Sequence, residues 1–103
     1  MKIITKLVEL INEELGDAKR YIKLARRERD THPQLSSAFA DLAEAEMGHV
    51  KILHTEAARL IEEHRAQVGE PPAEMLAVYN YEHDRQLDKS AKIRQMISEY
   101  RNM

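Results

Sequence analysis

Glu46 and His49 stand where a helical pattern calls for apolar side chains. The spacing around them reads Leu35, Phe39, Leu42, Glu46, His49, Leu53, Leu60. Most of the steps are four or three residues, so the set shares one helix face. A carboxylate and an imidazole thus replace Leu or Ile at two successive points. Burying a charge without a partner is costly or forces neutralisation. A metal ion is one partner that satisfies both groups together. Glu14 makes a similar interruption earlier in the chain. It falls within Ile4, Leu7, Ile11, Ala18, Tyr21 and Ala25, with Leu15 and Ile22 alongside.

These residues need elements that bring them together. The periodicity predicts three helices, over about 3–29, 33–67 and 73–101, in one domain spanning 1–103. The first breaks at Asp30-Thr31-His32-Pro33, where Thr31 or His32 suits a cap and Pro33 a first turn. The second runs toward Gly69, a natural residue just past a helix end. Pro71 and Pro72 prevent simple continuation. The third carries Leu76, Tyr79, His83, Leu87, Ala91 and Ile97 roughly on one face. Long helices with short connections imply an all-α, antiparallel up-down-up array. With the first turn centred near 31.5, Glu14 and His49 lie about 17.5 residues from it and Glu46 about 14.5. At about 1.5 Å per residue, all three reach one level, roughly 22–26 Å from the turn.

Composition narrows the chemistry. The chain has 103 residues and a net charge of only -2, which offers no basic field for nucleic acid. With no cysteine, disulfides, thiolate catalysis and iron–sulfur ligation are excluded for this chain. Three glycines and three prolines are too few for an all-β chain with many turns. No apolar run approaches membrane-spanning length and no signal-peptide pattern opens the sequence, so the expected location is cytoplasmic.

The segment Glu14-Leu15-Gly16-Asp17-Ala18-Lys19-Arg20-Tyr21 resembles the first-helix motif of rubrerythrin-type ferritin-like proteins, a metal-binding Glu followed seven residues later by Tyr. Ala43 to Val50 resembles their second-helix Glu-x-x-His. The resemblance covers about residues 3–66, the first half of that four-helix bundle. It implies that Glu14 and His49 are terminal iron ligands and that Glu46 bridges two irons. Two departures stand out. There is no second Glu-x-x-His, and without cysteine there is no rubredoxin domain.

A di-iron carboxylate site takes a Glu from each of two helices and a Glu-x-x-His from each of two others. One chain supplies half of that. Two chains across a two-fold axis supply four Glu and two His, so a homodimer or higher homo-oligomer is expected. Half-size ferritin-like proteins, including encapsulated ferritins, are similar in this respect. The donors suit iron, manganese or zinc. The resemblance implies a ferroxidase that oxidises Fe(II) with O2 or peroxide, for iron storage or detoxification, with Glu14, Glu46 and His49 as its working residues. Two other readings fit the sequence: a metal-free helical oligomerisation or partner-binding module, and a di-metal oxidase or peroxidase acting on a small substrate.

Other residues invite chemistry. Tyr21 is expected in the core, or hydrogen-bonded to a ligand. Gly16 and Gly48, each two residues after a candidate ligand, suit a close backbone approach or a local helix distortion. His32 and His64 read as surface residues, and His54 as packed. With the second turn near residue 70, Glu82 and His83 fall roughly 15 Å short of the level of Glu46 and His49. Arg94 comes nearer and could balance the carboxylates.

Overall fold

A computed structural model describes residues 1–103 as three helices and no strand: α1 (Lys2–Glu28), α2 (Pro33–Gln67) and α3 (Ala73–Arg101). They form a rod of 55 × 19 × 17 Å. No helix is long and apolar enough to cross a membrane.

α1 and α2 make an antiparallel hairpin whose seam is built from small residues. Ala18, Ala25, Ala40 and Ala43 are fully buried, and Ile11, Leu15, Ile22 and Val50 fill the space around them. Small side chains let two helices approach closely along their length. At the turn, His32 is the N-cap of α2 and Pro33 opens its first turn. Neither Thr31 nor His32 caps α2 through its side chain. Both turn back instead to Glu28, at 3.1 and 3.0 Å. At the far end Gly69 adopts φ +113° and its N–H donates to the His64 carbonyl. That left-handed conformation favours glycine. His64 Nδ1 also meets the Gly69 carbonyl at 3.0 Å, so His64 is half-buried rather than free on the surface.

α3 runs parallel to α1 and packs mainly on it, with fewer contacts to α2. Its buried row is Gln86, Ser90, Ile93, Ile97 and Tyr100. The expected positions Leu87 and Ala91 are exposed instead. The apolar core forms two clusters. One lies around Ile11–Ala25, Ala40–Val50 and Ile93–Tyr100. The other comprises Ile4, Leu7, Ala57 and Ile61, with Leu76 and Tyr79 against it. Between them lies a polar layer centred on Gln86. Its amide donates to Asn12 Oδ1 (3.1 Å) and to the Val8 carbonyl (3.3 Å), and its Oε1 meets His54 Nε2 at 3.0 Å. His83 stands edge-on to His54 and stacks on Tyr79. Gln86 is fully bonded in this layer, whereas His83 Nδ1 is buried without a hydrogen bond. Bonds such as those of Gln86 can fix the register of a helix that apolar contacts alone would let slide.

The last turn of α3 is tied to the hairpin. Arg29 donates to the carbonyls of Tyr100 and Met103, both at 2.8 Å, which satisfies carbonyls a helix end leaves open. Arg101 binds Glu44 at 2.9 Å and Asp41 at 2.7 Å.

Candidate metal centre

The two helices of the hairpin bring Glu14, Glu46 and His49 together. Glu14 follows the buried Ile11 by one turn, and Glu46 and His49 flank the buried Met47. One ligand atom from each residue lies within 4.8 Å of the others. His49 Nδ1 is 3.4 Å from Glu14 Oε2 and 3.8 Å from Glu46 Oε2. The side chains grade from 17% exposed at Glu46 through 27% at Glu14 to 53% at His49. The register inferred from the turn therefore holds: Glu14 and His49 are direct neighbours across the seam.

Glu46 is the telling residue. Its Oε2 is buried and accepts no hydrogen bond. The imidazole at 3.8 Å is too far to donate one. A buried carboxylate oxygen without a donor is costly in a folded chain. Beside it sits a second carboxylate that repels it. A divalent cation relieves both conditions, and oxygen and imidazole donors suit iron, manganese and zinc.

The three residues do not lie on the row buried within the chain. That row of α2 is Ser36, Ala40, Ala43, Met47, Val50, Ala57 and Ile61. The expected stripe lies on the flank beside it, where Leu35 and Leu42 are 46% and 43% exposed. In α1, Glu14 and Tyr21 likewise flank the buried row, which runs through Leu15 and Ile22. The site thus sits on a largely apolar face of the hairpin. α3 packs against the other side, where it reaches α2 at Glu44 and Asp41.

Other candidates take other roles. Tyr21 stacks on Phe39 with ring centres 6.2 Å apart, and its hydroxyl bonds to neither ligand carboxylate. Gly16 and Gly48 meet no close backbone. Glu82 pairs with Arg85, and neither Glu82 nor His83 joins the ligand group. Arg94 lies beside Glu44, Met47 and Lys51 and forms no ion pair with the site. Gln86 and Ser36 are buried polar residues that the periodicity did not single out. Each occupies a slot of the four-three spacing, which is the signal that could have found them.

A family model described as Rubrerythrin matches residues 7–103. The chain belongs to the rubrerythrin family. The match runs through α3, well beyond the 3–66 over which the motifs alone carry a resemblance. No curated protein and no solved structure matches. Rubrerythrin membership points to a metal site, typically of iron. Glu14, Glu46 and His49 are the one group of three such residues whose ligand atoms converge in the chain.

Proposed function

We propose that two copies of this rubrerythrin-family chain pair face to face across a two-fold axis and bind two iron ions between them. The observation that supports this is a half-site on an uncovered apolar face. One chain presents two carboxylates and one imidazole. Two chains would present four carboxylates, enough to neutralise two divalent ions, with an imidazole for each. On the same face, Leu42 lies one turn from Glu46 and Ile3 and Leu35 lie further along the hairpin, all exposed in the single chain. A second hairpin laid on them would complete a four-helix bundle and draw water away from the ligands.

In this reading Fe(II) is the substrate and O2 or peroxide the oxidant. With O2, two Fe(II) ions give one electron each, and O2 takes those two electrons and two protons to leave as hydrogen peroxide. Glu46, the most buried of the three, would bridge the two ions, and Glu14 and His49 would hold the outer positions. Negative charge held in a partly dry site favours the more highly charged product. The activity fits iron storage or detoxification.

Stopped-flow mixing of the metal-free protein with Fe(II) in air tests the assignment. The expected result is oxidation faster than in buffer, suppressed in Glu14→Ala and little changed in Glu82→Ala and His83→Ala. A lost burst in Glu82→Ala with Glu14→Ala unaffected overturns the site.

A further inference from the structure

A groove of about 320 Å³ runs between α1 and α3, on the side of α1 turned away from Glu14. Leu15, Ile93 and Met96 give it an apolar lining, and Lys19, Lys89 and Lys92 contribute charge to the same groove. The only lysine of the chain in an ion pair is Lys6. Three unpaired ammonium groups therefore gather on one groove of a chain whose net charge is -2. Like charges converging on apolar surface repel one another, and an anion placed among them removes that repulsion.

Gly16 also lines this groove. Glycine is a poor choice for a helix interior, surpassed in cost only by proline. Packing does not require it here. A Cβ at Gly16 would meet nothing nearer than Arg20 Nη1, at 4.0 Å. The missing side chain leaves the groove open.

We infer that this groove binds a small amphipathic anion: an apolar body lying on Leu15, Ile93 and Met96, with one anionic head group among the lysines. The volume is that of a small-ligand pocket. The lining chemistry sets two demands. An inorganic anion leaves the apolar surface wet, and a neutral apolar molecule leaves the ammonium groups unpaired.

Calorimetric titration of the full-length, metal-free protein tests both, with octanoate, 1-octanol and inorganic phosphate as probes. Octanoate is expected to bind saturably, one per chain, with 1-octanol and phosphate at least about ten-fold weaker. The double variant Lys89→Gln, Lys92→Gln should weaken octanoate about ten-fold and leave 1-octanol unchanged, because only charge is removed. Gly16→Leu should abolish octanoate binding without lowering the melting temperature, since leucine favours the helix and its side chain would fill the groove. The inference is overturned if octanoate fails to bind, including where the chains cover this groove in solution. It is equally overturned if either control probe binds as well, or if Gly16→Leu still binds octanoate.

Discussion

Glu46 keeps one carboxylate oxygen buried and without a hydrogen bond, beside a second carboxylate. In the metal-free chain this arrangement opposes folding. Glu46→Leu removes the unsatisfied oxygen and the repulsion, and should raise metal-free stability by about 1–3 kcal/mol while abolishing iron binding. Chemical denaturation under a chelator reads this, and a less stable variant contradicts it. Glu14, Glu46 and His49 stand out in the sequence because they interrupt an apolar face, and the structure brings the three together. The face itself was read as the inner one. Leu35, Phe39 and Leu42 are large and drew the stripe toward themselves, yet the row inside the chain is the smaller set Ser36, Ala40 and Ala43. Periodicity reports that a face is apolar. Whether the chain's own helices or a second chain cover it depends on side-chain size and on where the next helix lies.

α3 shows the same limit more sharply. Leu87 and Ala91 look like core from composition, yet the buried row passes through Gln86 and Ser90. Gln86 and Tyr100 are buried there with partners on α1 and α2, which sequence spacing does not display, while the Ser90 hydroxyl is buried without one. One such tie is the Ser36 hydroxyl. It lies 2.5 Å from the Ala25 carbonyl and 2.6 Å from the Tyr100 hydroxyl. A carbonyl only accepts, so Ser36 donates to Ala25 and Tyr100 must donate to Ser36. Tyr100→Phe should therefore cost about 1 kcal/mol, and Ser36→Ala about 1–3 kcal/mol because it strands a buried Tyr100 hydroxyl. Thermal denaturation ranks the two, and the reverse order contradicts the donor assignment. The polar layer is the second tie. Burial holds His54 below its ordinary pKa of 6.5; the bond to Gln86 opposes this, and the neighbouring His83 and Arg94 reinforce it. The unfolded chain then takes up the proton first as pH falls. This contribution to stability is complete above about pH 6.5 and is lost as pH drops below it. Metal-free protein should melt lower at about pH 5.5 than at about pH 7.5, and His54→Gln should narrow that difference. An unchanged difference removes His54 as its source.

The rod, 19 × 17 Å across, leaves Glu14 and Glu46 partly exposed and His49 largely so. α3 covers one side of the hairpin, and the opposite side, which carries Glu14, Glu46 and His49, keeps Leu35 and Leu42 exposed. Three helices and their connections follow from the periodicity, from Pro33 and from the Gly69–Pro72 break. The number of chains does not, because a hydrophobic face carries no mark of whose helix will lie on it. The central claim is that the working site belongs to two chains and to neither alone. Native mass spectrometry of protein loaded anaerobically with Fe(II) tests it most directly. The expected species holds two irons per two chains, with no iron on single chains and none on any species of His49→Ala. A single chain carrying two irons, or a His49→Ala dimer that still carries two, would contradict the account.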